Sequence, residues 1–240
     1  MFNHPKIIYK FRDWENDYHK KILTDNQLYF SPPSSFNDPF DCRIPDNILS
    51  LNTDEKLMSY TNLVMQKTEN RINEKGLDIE KERIKFYNAL KKDPNIHHNK
   101  LEKVLFEKQD SHIGVISFSA IWDNILMWSH YAANHRGFCV GIYEEKLRNS
   151  GLTSAGGMVN YDNEFDYPFI DPLNEDAISK SLQRTQNKAK TWSYEKEYRV
   201  VKTYFPKIAT ETDRIIHLPN DFYAEITIGL DIPEKSKNEI

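Results

Sequence analysis

Glycine is scarce in this chain, with 8 in 240 residues, and neither a G-x-G-x-x-G nor a G-x-x-x-x-G-K-[S/T] run occurs. Loops that cradle phosphates on backbone N–H groups need glycines at fixed spacing, so this shortage argues against Walker-type and Rossmann-type nucleotide binding. Cysteine is scarcer still: Cys42 and Cys139 are the only two. They cannot build a disulfide framework or a cysteine-rich zinc site, and reduced thiols in the cytosol are the simplest reading. No apolar run approaches the roughly 20 residues that span a bilayer. The opening MFNHPKIIYKFRDWEND lacks the apolar stretch of a signal peptide. A net charge of -4 argues against a generally basic nucleic-acid binder and leaves room for a local basic groove. A soluble, cytoplasmic protein with no membrane partner is the expectation.

What is present suits a globular chain. At 39% hydrophobic and 28% charged residues, residues 1–240 are expected to form a single α+β domain. Ile7–Phe11 reads as a strand, Glu15–Asp25 as a helix and Leu28–Phe30 as a second strand, stopped by Pro32-Pro33. From 53 to 110 apolar residues recur at helical spacing (Leu57, Tyr60 and Val64; Ile79, Phe86 and Leu90; Leu101, Val104 and Leu105). Thr53 is a candidate N-terminal cap, and Gly76 and Pro94 divide the stretch into about three helices. It is expected to be a helical insertion or lid. Strands are predicted at Gly114–Ser119, Gly137–Tyr143, Met158–Tyr161, Glu197–Tyr204, Arg214–Leu218 and Tyr223–Gly229. Helices are predicted at Ile125–Ala132 and Asp176–Lys190. The order favours a mixed sheet over a doubly wound parallel one.

Three dense blocks carry polar and aromatic side chains together. WSHYAANHRGFC (Trp128–Cys139) has the character of a pocket wall. Trp128 is expected to be a core anchor, and His130 and Tyr131 are candidates for the pocket. His130 and His135 are five apart, a poor match to two helical metal ligands. Arg136 before Gly137 would suit a phosphate or carboxylate, a solvated arginine being the ordinary alternative. FNDPFDC (Phe36–Cys42) is a good turn former, with Phe36 and Phe40 expected to pack inward and Asn37 and Asp38 the candidates for contact with a ligand.

The third block, WSYEKEYR (Trp192–Arg199), is the clearest candidate for chemistry. Read as extended, it puts Glu195, Glu197 and Arg199 on one face. Carboxylates about 7 Å apart on one strand repel unless a cation or ligand compensates them. Arg199 compensates one. The other is free to bind a ribose hydroxyl, act as a base or hold a metal. Ser117 and Ser119 share one face of GVISFS, but without a G-x-S-x-G elbow they do not read as a hydrolase nucleophile.

Together these blocks resemble the bacterial domain-of-unknown-function family 2971. The resemblance rests on Leu28–Ser31 with Phe36–Asp41, on Phe118–Cys139 and on Trp192–Arg199. It implies an abortive-infection or phage-defence role of the toxin or effector kind. It also implies a further helix and strand beyond Ile240. A second resemblance, of architecture, is to ADP-ribosyltransferases: a strand–helix–strand opening with Arg12 (or Lys10) after IIYKF, then Ser117-Phe118-Ser119, then Glu195-Lys196-Glu197. It implies an ADP-ribosyltransferase-like fold around a mostly antiparallel sheet and NAD or another nucleotide as ligand. Glu197 would be the catalytic carboxylate beside Glu195. Arg12, Asn37, Asp38, Ser119, His130, Tyr131, Arg136 and Arg199 would contact the ligand, with no metal required. The acceptor would be a nucleic acid or a protein. One rival is a metal-dependent nuclease or phosphodiesterase built from Asp38, Asp41, Glu195 and Glu197, with Lys190 or Lys196 facing phosphate. The other is a non-catalytic domain that senses a ligand or partner.

Overall fold

The computed structural model describes residues 4–161 and 170–240. In chain order the regular elements begin β1 (Ile7–Arg12), α1 (Asp17–Thr24), β2 (Gln27–Tyr29), α2 (Asp54–Glu74), α3 (Ile79–Lys92) and α4 (Pro94–His112). They continue with β3 (Ile113–Ser119), α5 (Ile125–Tyr131), β4 (Phe138–Tyr143), α6 (Glu144–Asn149) and β5 (Ala155–Met158). The last are α7 (Ala177–Thr185), β6 (Glu197–Thr203), β7 (Ile215–His217), β8 (Tyr223–Ile228) and α8 (Glu234–Glu239). The class is α+β, and the described residues divide into two compact units.

One unit comprises residues 4–42, 109–161 and 185–240. Its six-stranded sheet runs β5-β6-β3-β1-β4-β8 with antiparallel pairings, and β2 pairs with β7 in a separate ribbon. Alternation along the strands sorts the side chains between two faces. Ile8, Ile116, Phe118, Phe138, Val140, Ile142 and Val200 fall in one buried cluster with Trp14, Ile22 and Leu28. On the other face Tyr9, Phe11 and Cys139 pack with Met127 and Trp128 of α5. Trp128 is a core anchor, as its setting suggested: it is buried, edge-on to Phe11, and donates from Nε1 to Trp122 O at 2.7 Å. Each such side chain is worth roughly 1.5–3 kcal/mol when fully buried.

The other unit comprises residues 43–108 and 170–184. Thr53 caps α2, accepting from Lys56 N, and Gly76 turns the chain after α2 at φ +64°. Ile48, Leu51, Leu57, Tyr60 and Leu90 form its core. Lys180 and Arg184 of α7 fasten that helix by ion pairs to Asp46, and Arg184 also donates to Ile44 O. No helix among the described residues is long and apolar enough to cross a membrane.

Three local expectations are corrected. The strand expected at Met158–Tyr161 runs instead over Ala155–Met158, where its pairing with β6 is set by Ala155↔Val201 through Met158↔Tyr198. The helix expected to reach Lys190 stops at Thr185: Asn187 bridges Asn160 in extended backbone, and Lys190–Glu195 form a separate 3-10 turn. Phe40 is exposed, while Phe36 packs against the buried Cys42, Val115 and Val201.

A stretch of left-handed backbone at Ala133, Asn134 and His135 carries the chain from α5 into β4. It brings Gly137 against β1, where an added Cβ would lie 2.1 Å from Arg12 O. Because the obstruction is backbone, Gly137→Ala is expected to cost more than about 2 kcal/mol of stability, read by urea unfolding. An unchanged midpoint would contradict this packing.

Candidate functional site

The site arises from how β3 divides its partners. All seven of its residues register with β6, from Ile113↔Thr203 to Ser119↔Glu197. With β1 it registers at Tyr9↔Ser119, and further along it bridges Ser31 at Val115. β1 meanwhile follows β4 over Ile7–Arg12. The two central strands therefore part company after one pair, and a cavity of about 490 Å3 opens where they separate. Lys10, Arg12, Ser117, Tyr131, Lys188, Glu195 and Glu197 are among its lining, with His19, Asn37, Asp41, Ser119 and His130.

One wall is an ion network. Arg199, on β6, is 0% exposed and spends every N–H it has. It donates to both oxygens of Glu197 (2.6 and 3.0 Å), to Asp41 Oδ2 (2.6 Å), to Thr185 O (2.9 Å) and to Cys42 Sγ (3.1 Å). Lys188 Nζ lies 2.5 Å from Glu195 Oε2, 3.1 Å from Glu197 Oε2 and 3.4 Å from Asp41 Oδ2. Burial alone would raise the Glu197 pKa, yet Arg199 and Lys188 outweigh it and hold the carboxyl far below its usual range. Lys188 is likewise penalised by burial, and Glu197, Asp41 and Glu195 together raise its pKa. Burial pushes the Glu195 pKa up, opposed by Lys188 and reinforced by Glu197.

The Glu195–Glu197 pair is not on an extended strand. Lys196 sits at φ 46°, ψ 48° between the 3-10 turn and β6, a left-handed kink that costs a non-glycine residue roughly 1–2 kcal/mol. The kink is anchored by Ala120 N donating to Lys196 O at 2.8 Å. Both carboxylates nonetheless meet at Lys188, because the turn folds Glu195 back. They differ in spare capacity. Glu197 takes two bonds from Arg199 and one from Lys188, and Ser117 helps to hold its pKa down. Glu195 takes Tyr131 OH at 2.6 Å and Lys188, which leaves lone pairs for a further donor.

The opposite wall is cationic. Arg12 is the last residue of β1, and among the described residues its side chain makes a long hydrogen bond to Phe11 O at 3.4 Å. Lys10 Nζ donates to Ser117 O. Among the described residues neither has a carboxylate partner. Burial depresses the Arg12 pKa to about 10 and lowers that of Lys10 well below the usual lysine value, with Arg12 adding to the effect on Lys10. His19 is pushed down to about 4 by burial, then by Arg12 and Lys10. Its Nδ1 accepts from Asp13 N, so the neutral ring carries its proton on Nε2. Glu197 and Glu195 offset part of the cost for Lys10 from across the cavity, but two desolvated basic groups with no carboxylate bonded to them among the described residues suit an anion.

The sequence candidates divide accordingly. Arg12, Asn37, His130, Tyr131, Glu195 and Glu197 come together around the cavity. Ser119 lines it too, but its hydroxyl is engaged with Glu195 O and Ile121 N. Three candidates lie elsewhere. Asp38 supports the loop, accepting from Trp192 Nε1 and Phe40 N. Arg199 is sealed behind Glu197, and Arg136 is exposed in the turn before β4, outside the lining. Lys190 and Lys196 are also exposed and outside it. His130 bonds Tyr194 OH and His135 bonds Ser129, each with its own partner. Lys188 was missed. A charge count would have found it, since Asp41, Glu195 and Glu197 outnumber Arg199. Among the described residues no group of three or more His, Cys, Asp or Glu side chains could hold a metal ion.

Residues 127–200 match the model of the family described as a protein of unknown function, DUF2971. The match runs from α5 into β6 and so takes in His130, Tyr131, Lys188, Glu195 and Glu197. Lys10, Arg12 and Asp41 lie outside the matched residues. No curated protein and no solved structure matches the chain.

The network predicts its own response to pH. Glu197 contributes fully above the unfolded glutamate value of roughly 4.3, and that contribution is lost as pH falls toward its depressed folded value. Lys188 contributes fully below roughly 10.4, and loses that as pH rises through its raised folded value. Lys188→Met strands buried carboxylates, so it is expected to cost about 3–5 kcal/mol at pH 7. The deficit narrows between pH 7 and 5 as Glu195, already inclined to hold a proton, takes one up. Urea unfolding at both pH values reads this; a deficit that is equal at both, or absent, contradicts the network.

Proposed function

We propose that the cavity between β1 and β3 binds a dinucleotide of the NAD type, and that the protein acts as an ADP-ribosyltransferase-like effector. The observation that carries this reading is that Lys10 and Arg12, with no carboxylate partner among the described residues, line the same cavity as Glu195, whose described donors leave lone pairs for another. Lys10 and Arg12 suit a pyrophosphate. Asp41 suits a hydroxyl or amide: it is 2% exposed, lines the cavity, and its Oδ1 has no hydrogen-bond partner among the described residues. Buried acceptors of that kind call for a donor.

In such a transfer the bond from C1′ of the ribose to the nicotinamide nitrogen breaks, and its electron pair leaves with nicotinamide. The acceptor's lone pair forms the new bond at C1′, and its proton departs. This chain's part is to position the ribose and to offset the positive charge that develops on it. Glu195 can accept a ribose hydroxyl while Lys188 and Tyr131 hold it in place. Glu197, expected from the sequence to be the catalytic carboxylate, serves here to fix Lys188 and the floor of the site. The metal-dependent reading is less well supported, because the Lys188 ammonium already stands among Asp41, Glu195 and Glu197. A role in phage defence or as a toxin is what the family resemblance adds.

Nicotinamide release from NAD, with nucleic acid and protein supplied as acceptors, tests the reading. Glu195→Gln is expected to lower kcat by roughly 100-fold or more with KM little changed. Arg12→Met is expected to raise KM. Absence of release by the unsubstituted protein with every acceptor, or full activity in Glu195→Gln, would overturn it and favour a sensing domain.

A further inference from the structure

A second cavity of about 520 Å3 shares Arg12, His19, Tyr29 and Ser31 with the first. Its remaining lining includes Tyr18, Lys21, Gln27 and Glu211. Its composition differs from the first. No carboxylate network closes it, and two tyrosine rings stand at its surface: Tyr18 is 82% exposed and Tyr29 37%. Lys21 Nζ lies over the Tyr18 ring, 5.5 Å from its centroid, and has no carboxylate partner among the described residues. Glu211 accepts from Tyr29 OH at 2.8 Å, which steadies that ring. Arg12, common to both cavities, stands between Lys10 and Lys21, and none of the three has a carboxylate partner among the described residues.

Exposed aromatic rings beside unpaired cations are the combination that holds unpaired bases and their phosphates: every base has a face to stack, and every linkage a charge. An acidic or basic peptide would leave the rings unused. Gln27 and the carboxylate of Glu211 offer hydrogen bonds to a base edge. We propose that this outer cavity is a binding site for single-stranded nucleic acid. Tyr18 and Tyr29 stack a base there, and Lys21 and Arg12 hold the flanking phosphates. Its role as the acceptor site rests on the transferase reading; the binding itself does not. A strand seated there would meet the inner cavity at Arg12, which lines both.

The test is fluorescence anisotropy with a fluorescein-labelled single-stranded oligonucleotide of mixed sequence, at several salt concentrations, paired with calorimetric titration of NAD. Tyr18 is exposed and Lys21 unpaired, so Tyr18→Ala and Lys21→Ala are expected to fold normally, which far-ultraviolet circular dichroism checks. Tyr18→Ala is expected to weaken strand binding roughly tenfold, with recovery in Tyr18→Phe. Lys21→Ala is expected to reduce the slope of log affinity against log salt by about 0.7. NAD binding is expected to be unchanged in both. Strand binding that is absent, or indifferent to both substitutions, overturns the proposal. Loss of NAD affinity in step with loss of strand affinity overturns it too, by assigning the cavity to the dinucleotide. Normal strand binding without NAD turnover sinks the transferase reading alone and leaves this site standing.

Discussion

Arg199 holds Glu197, Asp41, Cys42 and the Thr185 carbonyl from a position with no solvent exposure. A buried guanidinium is tolerable only when all its donors are met and its charge is balanced. Satisfying that condition draws the 41–42 loop, the 185–188 segment and β6 to one point. Lys188 then becomes necessary, because Arg199 alone balances one of the three carboxylates and leaves two in excess. Lys188 in turn places Glu195, and Glu195 places Tyr131. The wall of the cavity is thus a consequence of charge balance in a dry interior.

The cavity itself follows from strand pairing. β3 gives its whole length to β6 and a single registered pair to β1. Backbone groups freed by that divergence find Ser31 instead, with Val115 and Ser31 exchanging bonds at 2.9 and 3.0 Å. The break in the sheet costs no unpaired ladder at that point, and it admits Lys10 and Arg12 to the opening. Opposite charges therefore face one another across a gap: a closed network on the β6 side, and on the β1 side cations with no carboxylate partner among the described residues.

Much of the framework is legible in the residues. β-branched and aromatic runs mark β1, β3, β4 and β6, and Gly76 and Pro94 punctuate the three long helices where expected. The convergence of Glu195 and Glu197 was also legible, although for a different reason. Alternation along a strand predicted it, whereas a left-handed Lys196 after a 3-10 turn produces it. Local pattern carries no sign of that kink, since lysine rarely adopts such backbone. Arg199 was legible as a partner for a glutamate but not as fully buried, because burial depends on Asp41 and Thr185 arriving from distant sequence. That Asp38 and Arg136 stand outside the cavity's lining was not legible for the same reason: a polar side chain in a suggestive block looks alike whether it faces a cavity, a tryptophan or solvent.

The central proposal is that Lys10 and Arg12, at the parting of β1 and β3, hold a pyrophosphate beside a fixed carboxylate. Calorimetric titration of ADP-ribose, which has the pyrophosphate and lacks the leaving group, measures this without turnover. The account requires saturable binding at one site, weakened roughly tenfold or more in Arg12→Met. No saturable heat with the unsubstituted protein, or equal affinity in Arg12→Met, would contradict it.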